Sequence, residues 1–349
     1  MATTALVAGR VLPFDADEYR ERQKKAREKM KNQGIDVMIL FAQESMYYLF
    51  GYDGGGFVFF QAVVMNVDAS AQTALLCRMP DVAQASPLFD VCEVWVNAPE
   101  NNPARDLIKL LGRVGITPTM KLGLETDTYG LTGRNYALLI DTLDEYGYQR
   151  RTEASHVVRA LRLTKSTAEI EKMRQASKLC DQAFHAGLDA ARGGVRDSVV
   201  SGTAMAMMIG NGGDLPPSWL VNSGDATSLG RSLTGGRVLN DTGDSLVFEI
   251  CGVYHRYCVV VERTVSLGTP SASKLAMHDA IKLALQKMMS IAKPGITLGD
   301  LYEAASSVLT GKRLSPSAVP IYAHFRLTLT HRTFLTQRVS VRVCMYDDK

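Results

Sequence analysis

Apolar positions along the 349-residue chain change their period several times, and each change predicts a different element. From Asp15 to Gln33 the sequence is densely charged, with Tyr19, Ala26 and Met30 returning on one side; this predicts a helix that Gly34 ends. "DVMILFA" (36–42) is continuously apolar, as a buried strand requires. "YYLFGYDGGGFVFFQAVVM" (47–65) offers two aromatic-rich strands broken by three glycines. "TALLCR" (73–78), "CEVWV" (92–96) and "KLGLE" (121–125) add further strands, with helical segments near 104–111 and 134–146. Strands alternating with helices over residues 1–160 predict an α/β domain.

A second pattern begins at "LRLTKSTAEIEKMRQASKLCDQAFHAGLDAARGG" (161–194). Ser166 and Glu169 have capping-box spacing, so a helix starts there. Ile170, Met173, Ala176, Cys180, Phe184, Leu188 and Ala191 then recur every three or four residues and give it one apolar face, until Gly193-Gly194 stops it. A helix near 196–210, a strand at "SWLVNSG", a hairpin at 248–264, a helix from Pro270 to Ala292 and another ending at Leu309 follow. Long helices with antiparallel strands make residues 161–309 an α+β domain. Residues 310–346 differ again: they carry Lys312, Arg313, Arg326, Arg332, Arg338 and Arg342, no acid and no clean period, an atypical basic tail.

Composition narrows the function classes. A net charge of +3 with interspersed signs gives no case for nucleic-acid binding or a polybasic membrane patch. No apolar run approaches the roughly 20 residues that span a bilayer. The opening "MATTALVAGRVLPF" lacks the layout of a secretory leader, which points to a cytoplasmic protein, with a short organellar transit peptide as the alternative. Six scattered cysteines without a CxxC pair predict reduced, mostly buried thiols.

The candidate chemistry lies in "FEICGVYHRYCVVVERT" (248–264). Strand alternation puts Val247, Glu249 and Cys251 on one face, and Cys258, Val260, Glu262 and Thr264 on one face of the returning strand. With a turn around 252–256, Glu249 and Glu262 face one cavity. Paired carboxylates in an apolar setting favour one of the two holding a proton, which suits acid/base work. The competing reading makes each an exposed strand residue paired with Arg256 or Arg263. His255 reads as a solvated turn residue, His185 and His278 as structural, "GGGF" (54–57) as a turn, and Trp219 and Cys258 as packing residues.

"LRLTKSTAEIEKMRQA", "SGD…TGDSLVFEICGVYHRYCVVVERTVSLG" and "KPGITLGDLY", in this order, resemble the creatinase/prolidase family over residues 14–309. Within it, "YDGGGFVFFQ" and the hairpin look most like the ectoine hydrolase and creatinase branch. The resemblance implies an α/β creatinase-like N-terminal domain and an α+β pita-bread C-terminal domain, incomplete after about residue 309, where the closing strands and helix should begin. In the metallopeptidase branch the hairpin carries two metal-binding aspartates. Glu249 and Val260 occupy those positions here, and valine cannot ligate a cation, so no metal and no other cofactor is expected. The resemblance instead gives Glu262 the role of holding a cationic guanidinium or amidine and Glu249 that of its catalytic partner. Arg263, Ser232, Tyr257 and Phe59 are the expected substrate-binding residues; Ser232 stands where creatinase keeps a histidine shuttle, and Phe59 belongs to the aromatic segment that approaches the partner's pocket in family dimers. The implied function is a metal-independent C–N hydrolase acting on a small cyclic amidine or guanidino acid, as a homodimer. The alternatives are a truncated, inactive relative that dimerises or binds a partner, and an Xaa-Pro aminopeptidase-like metallopeptidase.

Overall fold

In a computed structural model the described residues are 6–7, 10–228 and 232–311. The basic tail lies outside them from residue 312 onward. The chain divides into two units, Met1–Thr164 and Lys165–Lys349.

The first unit opens with a two-residue antiparallel pair, β1 (Leu6–Val7) and β2 (Arg10–Val11), followed by helix α1 (Ala16–Asn32). Asp15 caps α1 by accepting from Glu18 N–H at 2.8 Å. Then come β3 (Val37–Leu40), α2 (Gln43–Phe50), β4 (Ala62–Asn66), β5 (Ala74–Cys77), the short α3 (Val82–Ala85), β6 (Val91–Val94), α4 (Pro103–Arg113), β7 (Leu122–Leu124), α5 (Gly133–Glu145), β8 (Arg151–Glu153) and α6 (Ser155–Arg162). The strands form one sheet in the order β6-β5-β4-β3-β7-β8, with β4 antiparallel to both its neighbours. Every residue of β3 is buried, because helices cover both faces. Val37, Ile39 and Phe41 pack with Leu107, Leu111, Leu139 and Leu143 of α4 and α5. Met38 and Leu40 pack with Met30, Met46, Leu49 and Val157 of α1, α2 and α6.

The sequence pattern misreads an element here. "YYLF" belongs to helix α2 and not to a strand. All six residues from Ser45 to Phe50 are buried, so no helical period shows. The helix start is held by a residue about eighty positions away: Glu125 accepts from Phe41 N–H (3.0 Å), Ala42 N–H (2.8 Å) and Ser45 Oγ (2.5 Å). Burial pushes the Glu125 carboxyl up to about 7, against the opposing pull of these donors.

The second unit begins with α7 (Thr167–Ala190), whose capping box forms as the spacing predicts, with Ser166 and Glu169 exchanging both hydrogen bonds. After α8 (Asp197–Gly210), strands β9 (Trp219–Ser223), β10 (Ser245–Tyr254) and β11 (Tyr257–Ser266) make an antiparallel sheet in the order β11-β10-β9. Helices α7 and α8 cover one face of it, where Leu179, Cys180, Ala183, Val200 and Ala204 meet Val221, Phe248, Ile250 and Val261. Gly252 permits the approach, because a Cβ there would strike the carbonyl oxygen of Ala176. Helices α9 (Ala272–Ile291) and α10 (Leu298–Gly311) pack on each other through Ala280, Ala284, Ala305 and Leu309. Among the described residues no helix is long and apolar enough to cross a membrane.

Candidate active site on the hairpin

Antiparallel register decides which side chains of the hairpin meet. Glu249 pairs directly with Glu262, and on the other side of β10 it pairs with Leu220. Residues directly opposite in a ladder share a face, so both glutamates project from the side of the sheet that α7 and α8 do not cover. Val247, Cys251, Val260, Thr264, Leu220 and Asn222 share that face. Glu249 is buried and Glu262 half-buried. Like charges directly opposite in a sheet repel, and a cation seated against both would relieve that repulsion.

The turn that sets this register is tight. His255 (φ 48°) and Arg256 (φ 65°) both adopt left-handed backbone, as a two-residue type I′ hairpin turn demands, though neither is the glycine or asparagine that does so at least cost. Arg256 N–H donates to Asp214 Oδ2 at 2.8 Å and anchors the turn. The His255 ring packs edge-on to Tyr254, with centroids 4.5 Å apart. Tyr254, at that end of β10, lies five positions beyond Glu249, a distance of about 17 Å.

The structure places two of the expected substrate-binding residues away from the glutamates. Tyr257 and Arg263 lie on the helix-covered face, opposite to the glutamates. Arg263 pairs with Phe248 across the ladder, and its guanidinium donates to the main-chain oxygen of Glu262 at 2.8 Å. The Tyr257 hydroxyl donates to Glu169 Oε1 at 2.8 Å, tying the capping box of α7 to the hairpin. The alternation rule already separates odd from even positions on β11, so adjacency to Glu262 in sequence is what misleads. Ser232 sits half-buried in the loop between β9 and β10, its hydroxyl 3.5 Å from the carbonyl oxygen of Leu233. Two residues on, Thr234 Oγ1 accepts from Val221 N–H at 3.3 Å, which lays this loop along the edge of β9. Phe59 belongs to the first unit, where the Arg78 guanidinium stacks 3.4 Å from its ring centroid and the ring leans on the core beneath.

Cys251 and Cys258 share the glutamate face, and burial pushes their thiols up to about 12 and about 11. Neither forms a thiolate near neutral pH, so both act as small packing groups. Trp219 turns the other way, donating from its indole to Ser201 Oγ at 3.1 Å.

One residue of this face escapes the sequence pattern. Asn222, on β9 opposite Val247, is 4 % exposed, and its buried Oδ1 has no hydrogen-bond partner among the described residues. Its strand is visible in the sequence; its place beside Glu249 depends on the β9–β10 register, which alternation within one strand cannot reveal.

Among the described residues no group of three or more histidine, cysteine, aspartate or glutamate side chains could hold an ion. The second strand presents Val260 opposite Cys251, so the described donors of the hairpin do not fit a dinuclear metal site.

A mixed α/β unit followed by a helix-backed antiparallel sheet with paired carboxylates defines a two-domain hydrolase of the pita-bread class. Residues 22–164 match the creatinase/prolidase N-terminal domain and residues 171–335 match metallopeptidase family M24, so the chain belongs to the creatinase/prolidase family. The M24 match continues through much of the basic tail. Ectoine hydrolase from Halomonas elongata is 28 % identical over 320 residues, 85 % of this chain and 78 % of the relative. An Xaa-Pro dipeptidase from Pyrococcus horikoshii is 21 % identical over 336 residues, covering 95 % and 86 % of the two chains. Among solved structures, an Xaa-Pro dipeptidase from Bacillus anthracis aligns with a TM-score of 0.70 at 24 % identity, covering 84 % of this chain and 78 % of that one. An X-Pro aminopeptidase from Thermotoga maritima aligns at 0.71 and 21 % identity, covering 83 % and 78 %. These two likenesses establish the fold.

Proposed function

We propose that this chain is a metal-independent C–N hydrolase of the ectoine hydrolase/creatinase type, acting on a small cyclic amidine or guanidino acid. The observation that carries the reading is the direct pairing of Glu249 with Glu262 on a face whose metal-ligand position is taken by Val260. The similarity to ectoine hydrolase over most of both chains supports it. In this reading the Glu262 carboxylate holds the planar cation through charge-assisted hydrogen bonds. Glu249 takes a proton from the attacking water, the water oxygen bonds to the amidine carbon, and the C–N bond breaks. The departing nitrogen receives that proton, and the tetrahedral hydroxyl gives up its own as the C=O forms, leaving an amide and an ammonium group. The active assembly is a homodimer, which native mass measurement tests.

The test is turnover of ectoine, creatine and an Xaa-Pro dipeptide by the chelator-treated full chain, with and without added Mn²⁺. Amidine or creatine cleavage without metal, lost in Glu262→Gln, is the expected result. Dipeptide cleavage that appears only with Mn²⁺ would overturn the reading in favour of the metallopeptidase branch. Unchanged turnover in Glu262→Gln would remove the role given to that residue.

A further inference from the structure

We propose that Asn222 is a ligand-positioning residue whose amide oxygen accepts an N–H from a planar amidinium seated against Glu249 and Glu262. The inference deepens the hydrolase reading and rests on it. Asn222 stands one residue before the end of β9, is 4 % exposed, and its Oδ1 has no hydrogen-bond partner among the described residues. Its neighbours give no reason for a polar group: Val247 is opposite, and Leu220 precedes it on the same face. Asparagine is a poor strand former, and a buried acceptor left unmade is costly, so an aliphatic residue would serve packing better.

The register supplies what packing does not. Glu249 pairs with Leu220 and Asn222 with Val247, so Asn222 and Glu249 are diagonal neighbours across β9 and β10, about 7–8 Å apart between Cα atoms. Glu262 stands on the far side of Glu249, directly across β10 and β11. Three side chains with acceptor oxygens therefore cross three adjacent strands on one face. A buried amide oxygen only accepts, and so does an ionised carboxylate. The group that complements such a row, and reaches the Asn222 oxygen, is one with several N–H donors, no acceptor and a positive charge, spread in a plane. An amidinium or guanidinium has that layout, whereas a compact ammonium concentrates its donors at one point.

The experiment measures acetamidinium and methylammonium binding to the full chain by calorimetry, with melting temperatures, for wild type, Asn222→Leu, Asn222→Asp and Glu262→Gln. Asn222→Leu should bind acetamidinium roughly ten- to a hundredfold more weakly, the loss expected for a hydrogen bond to a charged partner, while melting higher because the orphan acceptor is gone. Asn222→Asp keeps the acceptor and should bind at least as tightly as wild type; it also carries the test if the leucine variant does not fold. Methylammonium should bind more weakly than acetamidinium throughout. Unchanged acetamidinium affinity in Asn222→Leu, or weakened affinity in Asn222→Asp, overturns the proposal. If Glu262→Gln still loses affinity in that case, the hydrolase reading survives and Asn222 alone falls. A wild-type chain that binds no acetamidinium overturns both.

Discussion

Glu125 shows how much one buried side chain can determine. Its carboxylate serves the main-chain start of α2 and the Ser45 hydroxyl at once, in a site only 1 % exposed. Burial raises its pKa from the ordinary 4.5 to about 7, so the folded chain holds this proton more tightly than the unfolded chain does. The stability contribution is therefore complete below pH 4.5 and is lost as pH rises through 7, a change on the order of 3 kcal/mol. Thermal melts between pH 4.5 and 8 should show wild type declining across that window, while Glu125→Gln, which cannot ionise, stays flat. Glu125→Ala leaves two backbone donors and a hydroxyl unmet and should destabilise at every pH, by roughly 2–4 kcal/mol. A wild-type melt that rises over the same window would contradict the sign. Tyr257 offers a contrasting case beside the candidate site. Its hydroxyl meets Glu169, away from the carboxylate face, so Tyr257→Phe should cost about 1 kcal/mol of stability and leave kcat/KM for any substrate unchanged.

At the scale of elements, the hairpin is a compromise between register and turn chemistry. Ten paired positions from Ser245↔Ser266 to Tyr254↔Tyr257 leave only His255 and Arg256 for the turn, and both must take left-handed backbone. The double substitution His255→Asn with Arg256→Gly should stabilise the unit by about 1 kcal/mol in a denaturant titration, because the turn strain disappears while the pairing stays. The opposite outcome is expected at Gly252. There α7 lies so close that Gly252→Ala pushes the helix off the strand at Ala176 and Cys180, costing about 1–3 kcal/mol. Because Gly252 sits three residues from Glu249 on the same strand, that variant should also lower turnover by tilting the carboxylate pair. Full activity with normal stability would show that the helix tolerates the shift.

For the whole molecule, each unit has a core of its own. The first closes both faces of its six-stranded sheet with its own helices. Residues 1–164 produced alone should therefore melt cooperatively and keep the Glu125-dependent pH response; a non-cooperative melt would show that the unit needs the rest of the chain. The second unit divides its work differently. One face of its described sheet is packed by α7 and α8, and the other carries the carboxylates and Asn222, so packing and chemistry use opposite sides of the same three strands.

Short-range rules made much of this legible in advance. The capping box of α7, the helices and strands of the second unit, and the common face of Glu249 and Glu262 all follow from spacing within a few residues, since the pleat alternates side chains whatever lies around it. The sequence also holds the family motifs in order, and with them the domain order. Other features depend on segments far apart in the chain. Helix α2 has no visible period because it is buried all round, and its start is held by Glu125 from another strand. Tyr257 and Arg263 sit next to the site in sequence but behind it in space, and Asn222 reaches it only through the β9–β10 register. Local spacing determines which residues share a face of one strand. Which faces meet across strands is decided by packing and hydrogen bonding between distant segments, and only the tertiary structure records that choice.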